Sequence, residues 1–352
     1  MIVTVIVNIN INININICMT HTKVFMITNL AYKFIAATAG VLCNATFKED
    51  DVGSVCQARV AEPRKILVAA MLAYEADTLQ IVLSEYDGVA DVLISENLNL
   101  HNPRQQGGKP FHLWPRIKDR PAFRVKASTI FWRECTNRRT GSAAFEAEDK
   151  DKLCESQQIR QLVKEQGYDV VVVGSTDEML SRRELLRLKW CRDIPRLPTN
   201  GAIGMPVGLL GRSFRTDWPP RGMPWAFSMP NVYGREDALR GMATRHLGAL
   251  RQRSPLVGGL HLTNYCFLPA MILKEMWTSD YGHNLGTLKL KRSLLNIKQK
   301  CYDNFHGRTK MSTGAETVVP RLLAACPLEF PAWYGKTDDR ELRFFDLLQT
   351  KL

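Results

Sequence analysis

Four consecutive valines, Val170 to Val173, follow Tyr168-Asp169 and lead into Gly174-Ser175-Thr176-Asp177-Glu178. A run with neither a helical period nor a two-residue alternation reads as a strand buried on both faces, and such strands lie inside parallel sheets that carry helices on both sides. An α/β fold is the consequence. Asp177 and Glu178 then stand at the carboxyl end of the strand, on the edge where open α/β sheets bind ligands. Ser181 ahead of Arg182-Arg-Glu-Leu-Leu-Arg-Leu-Lys-Trp190 reads as the cap of a following helix. Carboxylates in this position suit Mg2+ or Mn2+ held against a nucleotide diphosphate, because hard oxygen ligands match those ions and phosphate completes the shell. The same acids serve equally well as helix caps, and the stretch alone leaves both roles open.

Other segments fit around this strand. Lys65-Ile-Leu-Val-Ala-Ala-Met-Leu72 reads as a first strand, Tyr74 to Asp87 as a helix ended by Gly88, and Val89 to Ile94 as a second strand that closes a right-handed βαβ unit. Ser128 to Trp132 reads as a short strand, and Glu146 to Gln166 as an amphipathic helix that feeds the valine strand. The long segment from Asn99 to Arg120 is expected to be a binding loop. Glycine and proline punctuate Pro195 to Gly234, which predicts short strands at Ala202 to Leu210 and Ala226 to Met229. Pro255 to Leu262 reads as a last core strand ending near His261, followed by helices over Phe267 to Trp277, Leu285 to Phe305 and Glu341 to Leu348.

With 45% hydrophobic and 23% charged residues, the 352-residue chain belongs among globular proteins. Its formal charge of +12 suits an anionic partner without choosing one, and no zinc-finger spacing or aromatic RNA-binding pattern accompanies the basic residues. Nucleic acid is therefore not the expected partner. A serine hydrolase is excluded too, since Gly174-Ser175-Thr176-Asp177 lacks the second glycine of a nucleophile elbow. The nine cysteines include no Cys-x-x-Cys pair, so no zinc site is indicated; buried free thiols are the default reading, and an oxidising compartment would allow disulfides.

Residues 1–48 read as a low-complexity and targeting segment with a stalk, and residues 65–350 as a single domain. Asn-Ile repeats fill the first part, an apolar run from Val24 to Cys43 passes a cleavage-like Ala37-Thr-Ala39, and Asn44-Ala-Thr46 is a glycosylation sequon. A secretory-pathway address with an N-terminal membrane anchor fits this pattern. A chain starting near Glu49 is expected to fold as well as the whole.

Several short motifs resemble glycosyltransferase family 17, the β-1,4-mannosyl-glycoprotein 4-β-N-acetylglucosaminyltransferase family. Ala73-Tyr-Glu75-Ala-Asp77-Thr-Leu79 is similar to the family's Asn-Glu-x-Asp-Leu-Leu, and Val89-Ala-Asp-Val-Leu-Ile-Ser-Glu96-Asn97 to its Val-Val-Asp-x-Phe-Val-Val-x-Glu-Ser-Asn. Gly108-Lys109-Pro110, Ser228-Met-Pro-Asn231, Tyr265-Cys-Phe267, Lys274 and Pro331-Ala-Trp-Tyr334 also fit, and Ser254-Pro-Leu-Val-Gly-Gly-Leu-His261 resembles Ser-Pro-Leu-His-Phe-Ala-Gly-Trp-His. Where the family has Asp-x-Asp-Glu-Ile-Pro, this chain has Ser175-Thr-Asp177-Glu178-Met-Leu180, so the first acid is a serine. The aromatic cluster that follows in the family is replaced by Gly208-Leu-Leu-Gly211.

The resemblance, over roughly Leu67 to Leu348, implies a GT-A-like sheet, mostly parallel and flanked by helices. It implies transfer of N-acetylglucosamine from UDP-N-acetylglucosamine to a mannose-containing glycan or glycoprotein with inversion, a Mn2+ or Mg2+ cofactor, and a Golgi membrane or lumenal location. On the same basis Asp177, Glu178 and His261 are the candidate metal ligands, Ser175, Asp177 and Lys109 the nucleotide contacts, and Glu75, Asp77 and Glu96 the candidate catalytic acids. Because Ser175 carries no charge, a family member that binds nucleotide sugar or glycan with weak or no turnover is the alternative.

Overall fold

The computed structural model describes residues 21–43, 46–47, 50–97, 111–135, 144–192, 201–204, 207–209, 212–215, 227–244, 253–257, 259–261, 267–277, 310–312, 319–334 and 338–351. Strands β1 (Ile66–Leu72), β2 (Asp91–Glu96), β3 (Ile130–Glu134) and β4 (Val170–Ser175) pair in parallel in the order β4-β1-β2-β3. After β4 come β5 (Glu178–Leu180), β6 (Gly201–Gly204), β7 (Val207–Leu209), β8 (Arg212–Arg215), β9 (Phe227–Gly234), β10 (Arg253–Val257), β11 (Gly259–His261) and β12 (Lys310–Ser312). The main sheet runs β10-β6-β9-β4-β1-β2-β3, and only β9 opposes the others, being antiparallel to both β4 and β6. The fold is thus α/β with a mostly parallel sheet, as the valine run predicts. A smaller sheet takes the order β12-β8-β7-β11-β5. The expected single strand from Pro255 is divided, with β10 in the main sheet and β11 in the smaller one.

Both faces of the central strands are buried. Ile66, Val68, Leu72, Val92, Ile94, Val170 and Val172 join one apolar cluster, while Leu67, Ala69, Leu93, Val171 and Val173 join another on the opposite face. This explains why the strands read as continuous apolar runs. The second face is covered by α5 (Ala144–Gln166), through Ile159, Leu162 and Val163. Gly167, at φ +73°, ends that helix in the left-handed region, where its missing Cβ avoids a clash.

The first face is covered by α1 (His21–Thr38), α3 (Ala76–Tyr86) and α6 (Arg182–Trp190), with short α2 (Val52–Val55) and α4 (Trp114–Ile117) at its margins. Ser181 caps α6 by accepting from the Glu184 N–H, as expected. Short α7 (Arg235–Leu239) follows β9, and α8 (Leu268–Trp277), α9 (Arg321–Ala325) and α10 (Asp339–Lys351) complete the described helices.

The packing of α1 differs from the targeting segment expected there. Ala31, Tyr32, Ile35, Ala36 and Ala39 lie in the first apolar cluster, and α1 packs on α8 and α10. Tyr32 is 0% exposed; its hydroxyl donates to the Ala73 carbonyl at 3.1 Å, and its ring meets Phe111 edge-on at 4.7 Å. The Arg120 guanidinium donates to the carbonyls of Ala36, Ala37 and Ala39, supplying partners that a helix C-terminus lacks. Just beyond, Gln80 exchanges two hydrogen bonds with the Val41 backbone, at 2.9 and 2.7 Å. Among the described residues no helix is long and apolar enough to cross a membrane.

The free-thiol expectation is corrected for six cysteines. Disulfides join Cys43 to Cys326, Cys56 to Cys191 and Cys135 to Cys154. Two of them close separations of 283 and 135 residues, so the topology, not local spacing, brings the partners together. Cys18, Cys266 and Cys301, like the Asn-Ile repeats and the helix expected over Leu285 to Phe305, lie outside the described residues.

Burial of α1 carries a measurable cost when removed. Tyr32→Ala is expected to lower the unfolding free energy by about 3 kcal/mol in urea titration, the usual loss for a large core aromatic. A chain starting at Glu49 is expected to melt well below the full chain. Equal melting temperatures would show that α1 adds nothing to the fold.

Candidate functional site

Chain order and strand order part company between β1 and β4. From β1 the chain builds outward through β2 to β3, then returns to place β4 on the other side of β1. Loops leaving the two strands diverge there, and the crevice between them at the carboxyl edge is where open α/β sheets hold ligands. The loop after β1 carries Glu75; Ser175 ends β4, Thr176 and Asp177 form the turn, and Glu178 opens β5.

That turn is built tightly. The Ser175 N–H donates to Glu178 Oε2 at 3.0 Å, and the Ser175 hydroxyl donates to Asp177 Oδ1 at 2.5 Å. A Cβ on Gly174 would stand 3.1 Å from Pro230 Cβ and 3.3 Å from both the carbonyl and the carboxylate of Glu178, so glycine admits the close return of β5. Thr176, wholly buried, stitches the turn to β1. Its N–H donates to the Met71 carbonyl at 3.2 Å, and its hydroxyl lies 3.4 Å from Glu75 Oε2.

The sequence candidates divide by their partners. Glu75 is half-buried and accepts from the Ala73 and Tyr74 N–H groups at 3.2 and 3.0 Å, which holds its carboxylate at the crevice. Asp177 is 8% exposed and Glu178 is buried in the same turn. His261 stands directly opposite Glu178 in the antiparallel β5–β11 pair, so the backbone brings those two positions together. Lys109 lies outside the described residues.

Asp77 and Glu96 are engaged elsewhere. Asp77 opens α3 and takes two hydrogen bonds from Arg340 at 3.2 and 2.8 Å; Arg340 also pairs with Asp338 and lies over the Phe267 ring at 4.6 Å. Burial works against the guanidinium charge, but the Asp77 and Asp338 carboxylates outweigh it and raise its pKa. Glu96, 0% exposed, accepts from the Leu113 and Trp114 N–H groups and from the Trp132 indole at 3.3 Å. It therefore fastens α4 to the sheet. Tyr32 lies near enough to this edge that burial, then the Glu96 and Glu75 charges, push its phenol pKa well up.

Three further polar residues join this edge without having been singled out from the sequence: Thr176, His112 and Glu134. The His112 ring lies between two acids, with Nε2 3.2 Å from Glu134 Oε1 and Nδ1 3.8 Å from Glu96 Oε2. Glu134 had one legible signal, its place just past a predicted strand. At the opposite, amino edge of the sheet, an open cavity of about 590 Å3 is lined by Arg64, Asp169, Arg235 and Asp237 among others. Among the described residues no group of three or more His, Cys, Asp or Glu side chains forms a ready metal site. No protein-family model and no curated protein matches the chain.

Asp77→Ala leaves the buried Arg340 with one carboxylate instead of two. The expected result is a loss of about 3 kcal/mol of stability, as for other broken buried ion pairs. A variant as stable as the parent in chemical denaturation would return Asp77 to the list of residues free for chemistry.

Proposed function

We propose that the chain is a glycosyltransferase with a GT-A-like sheet, transferring N-acetylglucosamine from UDP-N-acetylglucosamine to a mannose-containing glycan with inversion. The observation that carries this is the carboxyl edge where β1 and β4 diverge, with Thr176, the neighbour of Asp177, hydrogen-bonded to Glu75 and to the Met71 carbonyl. Two of the family-like motifs, Ala73 to Leu79 and Ser175 to Leu180, follow β1 and β4 at that edge. Three disulfides among the described residues support an oxidising, secretory compartment, with the Golgi as the proposed address.

In such a transfer the acceptor hydroxyl oxygen bonds to the anomeric carbon as the carbon–oxygen bond to phosphate breaks. The electron pair leaves with UDP, and the hydroxyl proton passes to a base. A divalent cation, when bound, supplies positive charge against the leaving diphosphate. Asp177 fits as its anionic protein ligand, since Mg2+ and Mn2+ sites commonly use one or two carboxylates with phosphate oxygens and water. Glu178 fits that role less well, because its carboxylate turns back onto the Ser175 N–H. His261 is kept as a candidate ligand because its register position lies opposite Glu178. Of the three acids proposed for proton transfer, Glu75 stands in the crevice, whereas Asp77 and Glu96 hold the fold.

One contact favours the second reading, a member that binds nucleotide sugar with weak turnover. Ser175 brings no charge and places its hydroxyl on Asp177 Oδ1, occupying one carboxylate oxygen. Fewer anionic ligands for the cation follow.

Calorimetry with UDP and Mn2+ tests both. Asp177→Ala is expected to lose Mn2+-dependent UDP binding while staying folded, and unchanged affinity would remove Asp177 from the site. Ser175→Asp is expected to tighten Mn2+-dependent UDP binding, with a larger metal-induced thermal shift than the parent. Equal thermal shifts would show that position 175 does not face the cation.

A further inference from the structure

At the amino edge of the main sheet the chain enters β1 and β4 and, because β9 is antiparallel to β4, leaves β9; the cavity of about 590 Å3 lies among these three ends. Cavities of this size hold small organic molecules. Its wall is tied together, since the Lys65 N–H donates to Asp169 Oδ2 at 2.9 Å and the Arg235 N–H donates to the Asp169 carbonyl at 3.0 Å. It lies at the opposite edge from the β1–β4 crevice.

The lining is acidic in a chain that is basic as a whole: Glu62, Asp169, Glu236 and Asp237 stand against two guanidiniums, Arg64 and Arg235. Arg64 is engaged already, donating to the Leu188 and Cys191 carbonyls at 2.8 and 3.0 Å. Asp237 is the group that asks for a ligand. It is 8% exposed, and although it stands in the first turn of α7, its Oδ2 is buried without a hydrogen-bond donor among the described residues. A buried carboxylate oxygen without a donor carries a desolvation cost that an N–H group bound in the cavity would offset.

Depth then sorts the acids. Asp237 is buried and Asp169 half-buried, with capacity for a donor beyond the Lys65 N–H, whereas Glu62 and Glu236 are exposed. Glu236 is drawn toward Arg240 at 3.7 Å, which leaves Glu62 as the acid of the rim. Val60 and Pro63 add apolar surface to the lining.

We infer that this cavity binds an aliphatic diamine, one ammonium held by Asp237 and Asp169 at the floor and the other by Glu62 at the rim. An ammonium has only donors and an ionised carboxylate only acceptors, so the two match without a further partner. The surplus of carboxylates over guanidiniums neutralises two positive charges, and the methylenes between them lie along Val60 and Pro63. The same surplus repels a nucleoside diphosphate, so the site stands independently of the crevice.

The test is calorimetry on the full chain with putrescine and, separately, with butylamine, which carries the single ammonium of a lysine side chain. The parent is expected to bind putrescine about tenfold more tightly, the usual worth of a hydrogen bond to a charged group. Asp237→Asn keeps the shape of the side chain and is expected to weaken both amines by a similar factor. Glu62→Gln, at an exposed position where folding is not at stake, is expected to weaken putrescine alone and so close the gap between the two. Butylamine held as tightly as putrescine by the parent would assign the cavity to a lone ammonium and overturn the diamine. A parent that binds neither amine, or a putrescine affinity unmoved by both substitutions, overturns the site itself.

Discussion

The pairing of β1 with β4, in register from Ile66–Val170 to Met71–Ser175, is the constraint on which the rest of the molecule depends. Two strands distant in sequence are forced side by side because both are apolar on both faces and each needs two covered sides. The pairing sets where the strands end together. Beyond Met71 and Ser175 the chains diverge, and Thr176 ties them with one backbone and one side-chain contact. Remove that register and Thr176 loses its bonds to Glu75 and Met71.

Around this axis the acids at the carboxyl edge have separated into two kinds. Asp77 and Glu96 take several hydrogen bonds from buried partners and hold α10 and α4 in place. Glu75 is half-buried and held by the Ala73 and Tyr74 N–H groups, and Asp177 is held in its turn by the Ser175 hydroxyl. Rigid support of this kind suits binding, because little orientation entropy remains to be lost when a ligand arrives.

Sequence legibility followed burial. The valine strand, β1 and β2, and helices α3, α5 and α6 were readable because apolar runs and caps are local properties of the chain. Ser181 is the clearest case, a cap recognised from its residue type and confirmed by its bond to Glu184. What was hidden depended on distant partners. Nothing near Asp77 signals that Arg340, 263 residues away, takes its carboxylate. The cysteine pairings are equally non-local, and α1 has an apolar stripe that reads alike whether it faces a core or enters a targeting pathway. His112 escaped notice for the same reason, since its acids come from β2 and β3.

The central claim is that the ligand site is the carboxyl-edge crevice between β1 and β4. Hydrogen exchange with and without UDP and Mn2+ tests it most directly, because it locates binding without assuming turnover. Slower exchange is expected in residues 73–78 and 174–178, with no change around residues 234–237 at the opposite edge. Protection confined to the amino-edge cavity, or UDP binding that leaves both crevice loops unaltered, would contradict the account.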